Sequence, residues 1–294
     1  MKHSFKGVIS ALVTPFDQGK IDLKSLENIV QYQLKNGTNG FVVNGTTAES
    51  PALSWDEVEQ LYKTVRQITK DNVPVIVGTG SNSTEKTIQN SKKASQLGAD
   101  AILVVVPYYN KPPQRGIVQH FTKVAEATST PLIAYNVPGR TVVSMTQDSV
   151  LQITAVKNII GIKEASGDLA YDKTMIGKVP SNFVKLSGDD GTYIPFLKLG
   201  GDGIISVMSN VIPEACTRWT KLANDKKWSE VESDFKKYEN FINGLYVEAN
   251  PIVPKWMLYK MGLIKSAEMR LPLVDLDSAL NEPTLKLMKE FSLV

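Results

Sequence analysis

Short apolar runs rich in β-branched residues recur along the chain at positions 8–13, 40–44, 74–78, 101–107, 131–136, 159–163, 183–187 and 203–207. Between them lie amphipathic stretches of helical length, clearest over 22–35, 54–69, 84–97 and 114–127. A strand with one wet face alternates polar and apolar residues. These runs are apolar throughout, which predicts strands buried on both faces in a parallel sheet covered by helices. Eight such units, with no glycine-rich dinucleotide fingerprint after the first strand, favour a closed (β/α)8 TIM barrel over a doubly wound sheet. From Pro213 onward the pattern is helical only, including 226–246 and 284–291. The expected organisation is an α/β barrel over residues 1–225 and a C-terminal helical extension over 226–294, with no linker or short repeat beyond the βα alternation.

Local signals agree with this pattern. Ser54-Trp55-Asp56-Glu57 has the form of a capping box, with Ser54 as N-cap and Glu57 reaching back to it. Gly37 and Gly98 stand just past helical stretches, where a C-cap glycine belongs. The first apolar run is too short to span a membrane, is broken by Thr14-Pro15 and has no small-residue cleavage site, so it predicts a strand rather than a signal peptide.

Composition narrows the chemistry. The 33 basic and 30 acidic residues give a formal charge of +3. That is too even for a nucleic-acid backbone binder, and pairs such as Lys92-Lys93 suit a solvated helix face. The chain of 294 residues is long enough to bury a core without staples. Its one cysteine, Cys216, excludes a disulfide framework and suits a reducing, cytoplasmic setting, where it is expected as a small buried hydrophobe. The only histidines are His3 and His120, and His120, in the helical stretch 116–128, is expected at a surface or an interface. Such an inventory leaves little material for a zinc site or for Ser-His-Asp or Cys-His catalysis. Proton transfer then falls to lysine, tyrosine or carboxylates.

In a barrel the site lies where the strands run out at their C-terminal ends. Those ends carry Gly45-Thr46-Thr47-Ala48-Glu49-Ser50, Pro107-Tyr108-Tyr109-Asn110, Tyr135-Asn136-Val137-Pro138-Gly139-Arg140, Lys163-Glu164-Ala165-Ser166 and Ser187-Gly188-Asp189-Asp190. Lys163 closes the run Ile159-Ile160-Gly161-Ile162. Burial in an apolar barrel disfavours a lysine's ammonium form, which makes Lys163 a candidate amine nucleophile toward a carbonyl. It could equally snorkel to the barrel mouth or pair with a carboxylate. Lys185 is a rival by the same reasoning, two residues before the end of its strand. Tyr135 is either an acid/base, given hydroxyl neighbours such as Thr47 and Tyr109, or a half-buried aromatic with a wet hydroxyl. Gly45-Thr46-Thr47 offers N–H groups and hydroxyls to an anion, or forms a plain capping turn. Arg140, after a Pro-Gly turn, suits bidentate recognition of a carboxylate, or is a solvated loop residue.

At these motifs the chain resembles the dihydrodipicolinate synthase and N-acetylneuraminate lyase family. The likeness runs from Ala11-Leu12-Val13-Thr14-Pro15-Phe16 to Asn250-Pro251-Ile252. Its most specific segments are Gly45-Thr46-Thr47, Pro107-Tyr108-Tyr109-Asn110-Lys111-Pro112, Gly161-Ile162-Lys163-Glu164 and the run Tyr135-Asn136-Val137-Pro138-Gly139-Arg140-Thr141. The Asn-Val-Pro-Gly-Arg-Thr portion of that last run marks the synthase branch. The resemblance implies a class I aldolase-type lyase in which Lys163 forms an imine with pyruvate. Tyr135, Thr47 and Tyr109 would make a hydroxyl proton relay, and Thr46 and Thr47 would hold the pyruvate carboxylate. Arg140 would meet the carboxylate of L-aspartate 4-semialdehyde, and Gly188 and Ile205 would line the pocket with backbone groups. Condensation and cyclisation would give 4-hydroxy-tetrahydrodipicolinate, on the route to diaminopimelate and lysine. The family's usual assembly is a homotetramer built as a dimer of dimers, in which Tyr108 would reach across to the partner's relay. No metal or organic cofactor is implied, because the lysine imine itself serves as the electron sink.

Two departures from the family pattern matter. Ala48 replaces the second glycine of Gly-Thr-Thr-Gly-Glu, so the turn is expected to shift unless that residue keeps a negative φ. At the site where lysine inhibits some members, this chain has Trp55 for a histidine or acid, Val58 for a second histidine and Lys86 for a glutamate, while Ser50, Asn82 and Tyr108 match. A cationic ligand would meet Lys86 instead of a carboxylate, so lysine feedback is expected to be weak or absent. Two rival functions stand beside the synthase. One is another pyruvate-dependent aldolase of the family, acting on sialic acid or a 2-keto-3-deoxy sugar acid. The other is a non-catalytic 2-oxo acid binding protein on the same fold.

Overall fold

The apolar runs become strands, most of them trimmed where a proline or a turn ends the hydrogen-bonding ladder. In the computed structural model, which describes residues 3–294, they are β1 (Gly7–Ala11), β2 (Gly40–Val43), β3 (Val75–Gly78), β4 (Ala101–Val105), β5 (Leu132–Asn136), β6 (Ile159–Glu164), β7 (Val184–Ser187) and β8 (Gly203–Ser206). They close into a barrel in the order β1-β8-β7-β6-β5-β4-β3-β2. This is the (β/α)8 architecture that the pattern predicts. The fourth run stops at Val105 rather than at Pro107, because a proline has no N–H to give the ladder.

The helices α1 (Leu23–Lys35), α2 (Trp55–Thr69), α3 (Thr84–Leu97) and α4 (Gln114–Glu126) fall where the amphipathic stretches lie. They are followed by α5 (Gln147–Thr154), α6 (Leu169–Lys178), α7 (Tyr193–Lys198) and α8 (Pro213–Asn224). The capping box is present: Ser54 Oγ accepts from the Glu57 N–H at 3.3 Å and Glu57 Oε2 accepts from the Ser54 N–H at 2.8 Å. Gly98 C-caps α3 in the left-handed region, at φ 83°.

Two compact units are resolved. One comprises the chain up to Ile9, Asn39–Val42 and Val73–Ser206; the other comprises Ser10–Thr38, Val43–Asn72 and Val207–Val294. The first unit buries residues on both faces of its strands, among them Ile102, Ile133, Ile162, Leu186 and Ile204. In the second unit Leu26, Ile29 and Val30 of α1, Val65 of α2 and Trp219 of α8 are buried. A two-residue hairpin, Phe16–Asp17 against Lys20–Ile21, was not signalled by the apolar pattern. It turns through Gln18 at φ 51° and Gly19 at φ 75°, the backbone that tight hairpins favour.

Past α8 the helical reading needs correction in its details. The stretch expected as one helix over 226–246 is two, α9 (Trp228–Lys236) and α10 (Glu239–Gly244). The break falls at Tyr238, whose ring packs edge-on against Trp219 at 5.0 Å and lies tilted against Phe291 at 4.7 Å. Tightened bonds from Lys237 N–H to Asp234 O and from Tyr238 N–H to Phe235 O end α9 there. A further helix, α11 (Ile252–Lys260), precedes α12 (Ser278–Glu290). The latter starts before the expected 284 because Asp277 caps it, accepting from the Ala279 N–H at 2.9 Å, and Pro283 is tolerated inside.

His120 is not a surface residue of the chain. It is buried on α4, with Nδ1 3.0 Å from Thr84 Oγ1 and its ring edge-on to Phe121. Burial pushes its pKa down to about 4. The amphipathic pattern places residue 120 on a helix but does not say that the hydroxyl at the start of α3 would meet it.

Candidate active site

Side chains alternate along a strand, so neighbouring parallel strands present matched pairs inward and outward. On β5 and β6, Tyr135 is in register with Lys163 and Asn136 with Glu164. Lys163 and Tyr135 are both buried, 5% and 6% exposed, with the lysine Nζ 4.3 Å from the centre of the tyrosine ring. Among the described residues no carboxylate lies within ion-pair distance of Lys163 Nζ. The rival, Lys185, is placed quite differently. Its Nζ lies 3.2 Å from Asp202 Oδ2, and its backbone is tied to the same residue by Lys185 N–H to Asp202 Oδ2 at 3.0 Å and Asp202 N–H to Lys185 O at 2.7 Å. Lys185 is thus occupied as a structural partner, while Lys163 is a buried amine facing an aromatic ring.

Gly188, just past β7, makes room for that amine. A Cβ there would sit 2.6 Å from Lys163 Cε and 2.7 Å from Ala165 Cβ, closer than real carbons approach. Its N–H donates to Glu164 O at 2.6 Å, so backbone and lysine stem pack directly together. Ile205 is buried on β8.

The outward pair, Asn136 and Glu164, received no role from the motifs. Asn136 Nδ2 donates to Glu164 Oε2 at 2.8 Å, Glu164 Oε1 accepts from the Ser166 N–H at 2.7 Å, and Asn136 Oδ1 accepts from the Met145 N–H at 2.9 Å. These bonds lock the β5–β6 register one residue beyond Tyr135 and Lys163. Burial pushes the Glu164 carboxyl up, against the opposing pull of its hydrogen bonds. Burial, and then the nearby Glu164 charge, push Asp172 on α6 up to about 7. Tyr171 is raised by the same two causes, and its hydroxyl donates to Met145 O at 2.9 Å. The signal for this network was an Asn and a Glu, one on each strand, at positions that apolar periodicity assigns to the buried outer face.

Other residues of the same unit stand apart from the buried pair. Tyr109 is 88% exposed and Tyr108 38%. Tyr109 holds φ 73°, a conformation uncommon for a bulky side chain. Arg140 is exposed on the short helix Pro138–Thr141, which ends at Val142 with φ 66°. Strained non-glycine backbone of this kind gathers at functional loops.

The second unit holds Thr46 and Thr47 in a single 3-10 turn, Thr46–Ala48. Thr47 is buried and Thr46 half-buried. Ala48 is not among the residues with positive φ; the left-handed position falls on Glu49, at φ 58° and ψ 39°. The substitution of alanine for the family's glycine therefore strains nothing, and the Ala48 carbonyl is held by Thr14 Oγ1 at 2.8 Å. Thr47 Oγ1 accepts from Asn250 Nδ2 at 3.0 Å. Glu49 Oε1 lies 2.7 Å from Lys255 Nζ, and Glu49 Oε2 accepts from the Arg270 N–H at 2.9 Å. Sequence motifs pointed to the threonines but not to Asn250 or Lys255, which lie some two hundred residues away in the chain. At the positions that correspond to the family's lysine-inhibition site, Val58 is buried in α2 and Lys86 is exposed in the first turn of α3.

Comparison with known proteins places this geometry among relatives. Residues 4–290 match the model of the dihydrodipicolinate synthetase family. A 4-hydroxy-tetrahydrodipicolinate synthase of Bdellovibrio bacteriovorus is 50% identical over 291 residues, covering 99% of this chain and 98% of that protein. The crystal structure of dihydrodipicolinate synthase from Thermotoga maritima superposes with a TM-score of 0.97 at 41% identity, covering 99% of this chain and all of that one. The chloride-inhibited enzyme from Acinetobacter baumannii, solved with pyruvate, gives 0.96 at 41% identity, covering 99% of this chain and 100% of that one. With a barrel of the same construction, a match over nearly its full length and half its residues identical to one such synthase, the chain belongs to the dihydrodipicolinate synthetase family.

Proposed function

We propose that this chain condenses pyruvate with L-aspartate 4-semialdehyde to give 4-hydroxy-tetrahydrodipicolinate, through a Schiff base on Lys163. The observation that carries the assignment to Lys163 is its burial without a carboxylate partner among the described residues, in register with a buried tyrosine. The amine adds to the pyruvate carbonyl carbon, the carbinolamine loses water to form the imine, and loss of a methyl proton gives the enamine. The enamine carbon bonds to the aldehyde carbon of the semialdehyde. The semialdehyde's own amine then adds to the imine carbon and expels Lys163, closing the ring. Tyr135 carries protons in the imine-forming steps, with Thr47 and Tyr109 as the other hydroxyls. Thr46 and Thr47 hold the pyruvate carboxylate, Arg140 holds that of the semialdehyde, and Gly188 and Ile205 line the pocket. The packing of Gly188 against the lysine stem supports its part.

A coupled assay with pyruvate and the semialdehyde, run beside cleavage of sialic acid and of a 2-keto-3-deoxy sugar acid, tests the choice of electrophile. Turnover confined to the sugar acids would sink it. Tyr135→Phe is expected to slow imine formation roughly 10²–10⁴-fold, the range for loss of a positioned acid or base. Stopped-flow trapping of the pyruvate imine measures this, and a parent-like rate would remove Tyr135 from the relay. Lysine at sub-millimolar concentration is expected to leave steady-state turnover unchanged, because the exposed ammonium of Lys86 repels a cationic ligand. Clear inhibition in that range would refute the charge argument.

The active assembly is a homotetramer built as a dimer of dimers, in which a second copy covers the loop of Tyr108 and Tyr109. The exposure of Tyr109 on left-handed backbone supports this, since a large aromatic held so firmly into solvent suits a partner's surface. Sedimentation of the protein as a monomer would count against it. The protein works in the cytoplasm, a reading supported by its single buried thiol and tested by cell fractionation. Among the described residues no helix is long and apolar enough to cross a membrane.

A further inference from the structure

The ladder between β5 and β6 carries one residue too many. Leu132 of β5 pairs with Ile159, but the next residue, Ile133, pairs with Gly161, so Ile160 is left over as a bulge. Side chains change face at every residue, and one extra residue therefore swaps the faces of all that follow it. Beyond the bulge Tyr135 is matched with Lys163 and Asn136 with Glu164. In an unbulged ladder Tyr135 would stand opposite Ile162 and Asn136 opposite Lys163, so the amine would share a face with the amide and not with the phenol. Gly161 lets the strand close on its other neighbour just past the extra residue. A Cβ there would sit 2.5 Å from Val184 O and 2.7 Å from Val184 Cβ of β7.

A bulge leaves a residue unpaired and disrupts the ladder locally, so something must select it over the regular register. That selection is made on the outer face. The Met145 N–H can only donate, so it takes Asn136 Oδ1 at 2.9 Å and fixes which end of the amide faces which way. Nδ2 is left to meet Glu164 Oε2 at 2.8 Å and Ser144 Oγ at 3.2 Å. Glu164 Oε1 is taken by the Ser166 N–H at 2.7 Å. Both side chains are buried. A slip of one residue would separate them and leave a buried carboxylate short of a donor, which is costly.

We propose that Asn136 and Glu164 are positioning residues for imine formation: their bond selects the bulged register, and that register aims Lys163 at the face of Tyr135. The inference rests on Lys163 as the imine-forming amine and deepens that reading, by saying what sets the amine's direction. Both residues act from the far face of the sheet, without touching the reacting atoms.

The test is Asn136→Asp, Glu164→Gln and the double variant, each assayed well below its melting temperature for the rate at which saturating pyruvate forms the imine. All three keep the parent's side-chain shapes. Asn136→Asp sets carboxylate against carboxylate. Glu164→Gln sets NH₂ against NH₂, because the Ser166 N–H holds the oxygen end of the new amide. In the double variant the carboxylate at 136 accepts from the amide at 164, and the Met145 and Ser166 N–H groups still meet oxygens. Each single variant is expected to lose at least ~10-fold in the imine-forming rate, within what misplacing a reacting group by an ångström costs. The double variant is expected to recover most of that loss. A role in packing alone would lower melting temperatures and leave the rate of the folded enzyme at the parent's value.

A folded single variant with the parent's rate overturns the proposal, and so does a double variant that is unfolded or as slow as the singles. Should the single variants fail to fold, the double decides alone: a parent-like rate supports the proposal, and a rate at least ~10-fold down overturns it. Borohydride trapping of the parent with pyruvate separates this claim from the one beneath it. A parent with no adduct at Lys163 removes that amine and this inference with it, whereas a parent labelled at Lys163 beside single variants of parent-like rate sinks only the present claim.

Discussion

Lys163→Ala is expected to give a folded protein with no measurable synthase activity, a fall of at least about 10³-fold, the order seen when a covalent nucleophile is removed. The amine is the only group in the proposed sequence that bonds to the substrate, and no neighbour can replace it. Lys185 is the nearest candidate by type, and it is held in an ion pair with Asp202. The fold should survive because Lys163 carries no ion pair among the described residues, and the register of its strand is fixed by the Asn136–Glu164 bond on the opposite face. Lys163→Arg should be equally inactive, since a guanidinium keeps the charge but stays protonated and cannot add to a ketone. Borohydride reduction in the presence of pyruvate should add the mass of a reduced pyruvyl group to the parent at Lys163, and to neither variant. An adduct mapped to another lysine, or K163A retaining a hundredth or more of the parent rate, would show that the imine forms elsewhere.

The strands were legible because each apolar run is short, β-branched and punctuated, and Lys163 stood out because it closes one of them. What could not be read was which lysine is free. Lys163 and Lys185 look alike in sequence, and the difference between them is Asp202, 17 residues from Lys185 and brought to it by the next strand. His120 failed for a similar reason: helical periodicity gave its element, but the hydroxyl of Thr84 that meets it comes from the preceding helix. Where a signal was local, as with the capping box at Ser54 and Glu57, it held to the atom. Ala48 illustrates the limit of motif comparison. A glycine in the family pattern suggested a left-handed residue, yet here that conformation falls one position later, on Glu49. The contacts that stabilise it come from Lys255 and Arg270, and no window of sequence around the turn contains either.

That buried pair supplies the largest expected loss of stability. Lys255→Met should destabilise the protein by roughly 3–5 kcal/mol, because it leaves Glu49 inside the protein without its cation. Lys255 and Glu49 are 0% and 1% exposed, so water cannot take over the missing contact. Burial pulls the lysine toward its neutral form and the attraction of Glu49 opposes it, which means that each ion is tolerated there largely on account of the other. The lysine does more than pair: its ammonium also donates to Glu268 O and lies 4.4 Å from the centre of the Phe16 ring, a ring that Arg270 approaches at 4.2 Å from the guanidinium carbon. Methionine keeps most of the stem and loses all of these. Removing both charges at once, in Lys255→Met with Glu49→Gln, should therefore cost less than Lys255→Met alone, since the stranded carboxylate is gone. For a chain of this size each kcal/mol corresponds to roughly 2–4 °C in Tm, so melting curves of the two single variants and the double separate the cases. A double variant less stable than either single, by the sum of their losses, would mean that the two charges do not depend on one another and that the turn under Thr47 is held by its local bonds alone.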